Sequence, residues 1–301
     1  MVNGRKATTL SVGVPNFGAW AGGDWRALLD VARACEDSGV DRIVVNDHVV
    51  MGRGTDAYVW GRFPTAPDGP WLEPLTVLTA MAAVTSRVRL ATGILIAGLR
   101  PAAVLAKTVA TLDVMSGGRV DLGAGVGWQA AEYDAVGLEF RTRGKRLDDT
   151  IGACRALWSN LPASFASATI SFDDTFCSPQ PVQPRLPVWF AGSLTEPNIR
   201  RIVDLGDGWI PIMGASVEEI RDGAGRLRAL TDRPIDVQAP ARVVKSADGS
   251  RDPAPTMAGV PELVAAGAND IYVNIASFAA SVGEAPVALD RLAEAFREVT
   301  A

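Results

Sequence analysis

The feature that most constrains the fold of this chain is an alternation of short apolar runs with helical stretches, repeated from end to end. The apolar runs are Leu10–Pro15, Arg42–Val45, Val88–Ile96, Val120–Ala124, Pro187–Phe190, Trp209–Ile212, Ile235–Ala239 and Ile271–Ile275. Each is followed by a helical pattern: Asp24–Ser38, Pro74–Val84, Pro101–Met115, a helix-rich stretch to Trp158, Glu196–Leu205, Val217–Leu230, Met257–Ala266 and Pro286–Val299. The first helix shows why. Trp25, Leu28, Leu29, Ala32 and Cys35 recur at helical spacing and the pattern stops at Gly39, a residue suited to the left-handed end of a helix. Pro101 opens another helix at its first turn and Gly117-Gly118 closes it. Strand–helix alternation implies a parallel sheet. Eight units within 301 residues fit a TIM (β/α)8 barrel, whose core takes about 250 residues with insertions added. A doubly wound open sheet is the alternative, and the count favours the barrel.

Two stretches read as insertions. Residues 48–69 follow the second strand and carry Gly, Pro and aromatic residues, as an active-site loop does. Residues 161–186 lead through Pro179, Pro181 and Pro184 to Pro187 and read as an irregular or hairpin excursion. No linker divides the chain and no repeat of solenoid period is present, so residues 1–301 read as one domain.

Composition narrows the function. With 29 basic and 34 acidic side chains the formal charge is −5, and like charges form no block, which argues against a nucleic-acid partner. No apolar run reaches the ~18–20 residues of a membrane span. The opening MVNGRKATTL lacks the apolar core of a signal peptide. Cys35, Cys154 and Cys177 are odd in number and far apart, which suits reduced thiols in a cytoplasm. The single histidine, His48, is the most exclusive count. It rules out a His-rich metal site, and any Ser-His-Asp or Cys-His catalysis has to use it.

Active sites of such barrels lie at the C-terminal ends of the strands. The residues there are Asn16-Phe17-Gly18, Asn46-Asp47-His48, Gly93-Ile94, Gly125-Val126-Gly127-Trp128, Ala191-Gly192-Ser193, Pro211, Arg242 and Ser277. The set is apolar and glycine-rich, which suits a planar ligand with a phosphate tail. His48 at a strand end is a candidate proton carrier near neutral pH; the alternative is a histidine that only caps a loop. Gly125-Val126-Gly127 is either an anion cradle or a tight strand–helix turn. It is not a dinucleotide fingerprint, because Ala130 stands where the third glycine would be. Gly192-Ser193 precedes a helix whose N-terminus could hold a phosphate, although Ser193 or Thr195 could simply cap it. Lys245 is a rival Schiff-base candidate, but its polar surroundings (Ser246, Asp248, Arg251) favour a solvated lysine. Asp148-Asp149 and Glu218-Glu219 read as solvated helix surface, and the cysteines as structural.

These motifs combine into a family resemblance. The stretch Val88–Trp158, with LATGILIAG, SGGRVDLGAGVGW and RTRGKRLDDTIGACRALW, strongly resembles the bacterial luciferase-like flavin and deazaflavin oxidoreductases. DRIVVNDHV (Asp41–Val49) and Val188–Pro211 match the same family in the same order. Within it the chain looks most like the branch that uses coenzyme F420, a deazaflavin, with flavin mononucleotide (FMN) as the alternative cofactor. The resemblance implies a TIM-like barrel with the cofactor across the strand ends. The ring would rest against a bulge with a non-proline cis peptide, here Gly93–Ile94. The phosphate would sit at Gly125-Val126-Gly127 and at Gly192-Ser193, with Trp128 beside the cofactor. Asp47 and His48 would flank the ring, His48 as proton donor or acceptor and Asp47 positioning it or touching the cofactor.

The implied reaction is hydride transfer between the deazaflavin C5 and a small apolar alcohol, ketone or enone. Sugar-phosphate dehydrogenases of the family place a glutamate where this chain has Trp128, a departure that speaks against a phosphorylated sugar. Trp20, Trp60, Phe63, Trp71 and Trp128 are candidates for an apolar substrate pocket. Two other functions remain open at this point: an FMN-dependent monooxygenase using dioxygen, and a barrel that binds F420 without turnover. Relatives are often dimers, so the resemblance also implies a homodimer as a candidate assembly.

Overall fold

A computed structural model describes residues 7–59, 61, 63–245 and 251–301. The barrel strands are β1 (Thr9–Gly13), β2 (Arg42–Val45), β3 (Arg89–Thr92), β4 (Val120–Ala124), β7 (Val188–Ala191), β8 (Gly208–Ile210), β9 (Asp236–Pro240) and β10 (Asp270–Asn274). Each pairs in parallel with its neighbours, and β10 pairs with β1 to close the ring. This settles the architecture as the closed barrel and excludes the open sheet. The remaining strands, β5 (Ala163–Ala166) and β6 (Ser171–Thr175), form an antiparallel hairpin inside the proline-rich insertion.

The outer layer comprises α1 (Ala27–Ser38), α2 (Pro74–Ala82), α3 (Ala102–Ser116), α4 (Ala130–Ala135), α5 (Arg143–Ser159), α6 (Glu196–Leu205), α7 (Val217–Leu230), α8 (Ala254–Met257), α9 (Val260–Ala265) and α10 (Ala285–Thr300). Their inner faces follow the helical period. In α10, Ala285, Ala288, Leu289, Leu292, Ala293 and Phe296 are buried. Gly39 and Gly117 end α1 and α3 in the left-handed conformation, as the sequence leads one to expect. Glu73 caps α2 by accepting from the Thr76 N–H at 2.7 Å, with Pro74 at the first turn.

Most element ends shift by one or two residues from the sequence reading, and three differences are larger. The first helix starts at Ala27, after a turn. The helix expected over 257–266 is broken into α8 and α9 around Gly259, with Pro261 in the first turn of α9; a proline N atom cannot donate across that junction. The third strand stops at Thr92, and the following residues leave the ladder as a bulge that runs into a 3-10 turn at Ala97–Leu99.

Inside the lower barrel lies a charged layer. Arg42 at the start of β2 is 2.7 Å from both Asp121 on β4 and Asp270 on β10. Arg89 also pairs with Asp121 at 2.7 Å, and Ser11 and Gln238 donate to Asp270 at 2.7 Å. Burial alone would lower the Arg42 pKa, but the two carboxylates raise it. Every charge in this layer has a partner, which is the condition for tolerating it in a core.

Candidate active site

At the C-terminal end of the barrel a cleft of about 430 Å³ is lined by residues from the ends of β2, β3, β4 and β10 and from the loop after β2. His48 stands in its wall. Its Nδ1 is 3.1 Å from Oε2 of Glu132, a fully buried carboxylate on α4. The other oxygen of Glu132 accepts the Val49 N–H at 2.9 Å. A carboxylate in this position accepts from Nδ1–H, so in the neutral imidazole the lone pair lies on Nε2. Aromatic rings box the imidazole. Trp71 meets it edge-on at 4.6 Å, and Phe63 and Trp128 follow at 5.5 and 5.8 Å. Phe17 stacks on Trp71 at 4.1 Å.

Asp47 also borders the cleft, but it does not hold His48. Its carboxylate receives the Ile96 N–H at 2.8 Å and both Arg100 nitrogens, at 2.7 and 3.0 Å. Arg100 reaches on to Glu73 at 2.9 Å, and although burial works against its charge, the two carboxylates raise its pKa. Asp47 therefore fastens the loop after β3 to the end of β2. Glu132, not the adjacent Asp47, orients the histidine.

The Gly93–Ile94 peptide is cis, the isomer the resemblance implies. Asn46 donates to the Gly93 carbonyl at 2.7 Å and takes its own place from Asn16, which is fully buried. The bulge packs directly on the turn after β4. A Cβ on Gly125 would come within 2.7 Å of the Ile94 side chain, and one on Gly127 within 3.0 Å of Ile96. A side chain at 125 would force Ile94 to shift, and Gly127 has a positive φ, which favours glycine.

The proposed anion turns are less open than the sequence suggests. The Gly125 N–H goes to the Leu95 carbonyl and the Gly192 N–H to the Ile210 carbonyl. Neither donor is available to a phosphate. The Val126 carbonyl accepts from the Tyr133 hydroxyl at 2.7 Å, and Val126 is not part of the cleft wall. Ser193 does border an opening, a second cleft of about 440 Å³ shared with Thr195 at the start of α6 and with Arg226. Glu219 and Asp222 stand on the same wall.

Of the other candidates, Phe63, Trp71 and Trp128 line the His48 cleft. Trp20 packs against the core and donates to the Ala279 carbonyl at 3.1 Å. Trp60, Ser246 and Asp248 lie outside the described residues. Lys245 is exposed. Asp149 is buried, not solvated, and accepts from Thr169 at 2.6 Å, while Asp148 pairs with Arg201. All three cysteines are buried and unpaired, and burial pushes the Cys35 and Cys154 thiols up, which keeps them protonated. Among the described residues no helix is long and apolar enough to cross a membrane, and no group of three or more His, Cys, Asp or Glu could hold a metal.

The sequence profile described as luciferase-like monooxygenase matches residues 8–297. This chain belongs to that family. An uncharacterized protein of Mycobacterium tuberculosis is 32% identical over 240 residues, 78% of this chain and 76% of its own length. A protein of Kineococcus radiotolerans named F420-dependent glucose-6-phosphate dehydrogenase is 31% identical over 227 residues, 70% of this chain and 63% of its own length. Two solved structures share the barrel. A monooxygenase from Streptomyces bottropensis superposes with a TM-score of 0.76 at 20% identity, covering 97% of this chain and all of that one. An F420-dependent secondary alcohol dehydrogenase, in complex with an F420-acetone adduct, superposes with a TM-score of 0.73 at 16% identity, covering 98% of this chain and 99% of that one.

Proposed function

We propose that this luciferase-like chain is an F420-dependent oxidoreductase acting on an apolar alcohol, ketone or enone, with residues 1–301 working as one domain. The observation that carries the reading is the lone histidine: it is oriented by a buried glutamate, boxed by aromatic rings and shares one cleft with the Gly93–Ile94 peptide. The relative named F420-dependent glucose-6-phosphate dehydrogenase supports the cofactor. The walls fit a flat ring. They include Ile94 and Ile96, set close on Gly125 and Gly127, and the Trp128 ring, and a volume of about 430 Å³ lies in the usual range for such sites. No lysine or arginine is among the described residues lining this cleft, which favours an unphosphorylated substrate over a sugar phosphate.

When bound, the deazaflavin supplies the carbon that accepts or donates the hydride. The chain's own residues do the rest. His48 Nε2 takes the hydroxyl proton as an alcohol is oxidised, and returns it to the oxygen when a ketone is reduced. Glu132 positions that nitrogen by holding Nδ1–H. Phe63, Trp71 and Trp128 keep water from the imidazole and form the apolar wall for the substrate. Asp47, through Arg100 and the Ile96 N–H, fixes the wall that would back the cofactor ring. Ser193, Thr195 and Arg226, next to Gly192, are the candidates for the phosphate tail, with the N-terminus of α6 adding its dipole.

The test is turnover. Secondary alcohols should reduce F420 at the same rate under nitrogen and in air. Oxygen consumption with reduced FMN, and no alcohol-dependent reduction of F420, would replace this reading with a monooxygenase.

A further inference from the structure

A compartment of about 780 Å³ adjoins the His48 cleft, and nothing proposed so far uses it. Met213, Tyr272 and Asn274 line both spaces, so the two meet at a common wall. The compartment lies over the ends of β9 and β10, between the loop that precedes α7 and the helix α9. The residues proposed for the phosphate tail, Ser193, Thr195 and Arg226, border a separate cleft after β7.

Three apolar side chains of this compartment stand uncovered. Met213 is 60% exposed, Val244 43% and Val243 39%. Leu263 adds a buried apolar surface behind them. The loop that carries the valines is pinned in place, with the Val244 N–H donating to the Thr256 hydroxyl at 2.9 Å. Among the described residues the charged side chains on the wall are one of each sign, Arg242 and Glu262. That arrangement offers no cluster of cations to a polyanion. A volume of this size takes a drug-sized apolar body, whereas on the oxidoreductase reading the His48 cleft would be taken up by the ring and the reacting carbon.

We propose that this compartment holds the body of the substrate: an extended, uncharged, hydrocarbon-rich molecule whose alcohol or ketone end passes Tyr272 and Asn274 to reach His48. The proposal rests on the oxidoreductase reading for the identity of the reacting end, and it adds the substrate class. Contacts to a remote apolar tail act in ground state and transition state alike, so they show as affinity.

The experiment is calorimetric titration of the cofactor-free protein with methyl ketones from butanone to decanone, repeated with Val244→Asp and with Val243→Asp. Both valines are solvent-accessible, so the variants should fold, and circular dichroism checks that they do. In the native protein Kd should fall roughly three- to fourfold per added methylene, with a negative heat-capacity change. In at least one variant the dependence on chain length should drop to less than about half of that per-methylene gain, with F420 affinity unchanged. A flat series in the native protein, or a slope that neither variant alters, overturns the proposal. F420 titration and butan-2-ol turnover run alongside. Intact turnover with a flat ketone series removes the compartment only. An intact, variant-sensitive series without turnover removes the reading of His48 and keeps the compartment as a ligand site.

Discussion

Replacing His48 with alanine is expected to lower kcat for alcohol–ketone interconversion by roughly 10²–10⁴-fold, the usual contribution of a placed proton carrier. F420 affinity should change little, because on the proposed reading the ring would rest on the Gly93–Ile94 bulge and the phosphate would lie in the separate cleft of Ser193 and Arg226. The neighbouring glutamate supplies an internal control. Glu132 accepts from two donors, His48 Nδ1–H and the Val49 N–H, one on each oxygen. Glu132→Gln has one oxygen for two donors, so its amide group must face one of them. The imidazole then loses its fixed tautomer. The expected loss is smaller, roughly 10–10²-fold, and falls on kcat more than on KM; a fully buried hydrogen-bonded partner is worth about 1–3 kcal/mol. Glu132→Asp should recover part of it. Steady-state kinetics with a secondary alcohol read all three variants. A His48→Ala protein with native kcat would remove the imidazole from the mechanism.

The second large effect is on stability. Arg42→Ala is expected to destabilise the barrel by about 3–5 kcal/mol, because it strands charge in a buried layer. Asp121 keeps Arg89, but Asp270 keeps only the hydroxyls of Thr9 and Ser11 and the Gln238 amide. The midpoint of thermal unfolding should fall by roughly 5–10 °C. Adding Asp270→Asn should restore much of the loss, since the uncompensated charge is then gone while most of the hydrogen bonds survive. Urea and thermal unfolding of the single and double variants test this. If the double variant is as unstable as the single one, the cost lies in the cavity left by the arginine and not in the stranded carboxylate.

The barrel was legible because its signal is periodic and repeated. Apolar runs, helical spacing and Gly or Pro boundaries all agree, so a misplaced end such as Asp24 against Ala27 does not disturb the count. His48 was legible for a different reason: it is the only histidine and it leaves a barrel strand. Its partner was not. Side chains of successive residues leaving a strand point to opposite sides, so Asp47 and His48 diverge, one to Arg100 and the other to Glu132. The glutamate comes from 84 residues away, within AAEYDA, where one acid looks like the next until the burial of the helix is known. The only available signal was its place on the first helical turn after a glycine-rich strand end. The occupied N–H groups of Gly125 and Gly192 were hidden for a similar reason. They bond to Leu95 and Ile210, and only the register of neighbouring strands reveals those partners. The larger compartment is assembled from four separate segments of the chain, so no local pattern announces it.

The central claim is that the cleft beside His48 is built for F420. Titration of the purified protein with F420 and, in parallel, with FMN tests it most directly, with quenching of tryptophan emission as the signal because Trp71 and Trp128 line the site. The account predicts F420 binding at micromolar Kd or tighter, about −8 kcal/mol, and FMN weaker by about tenfold or more. FMN binding as tight as F420 or tighter, or no binding of F420, would contradict it.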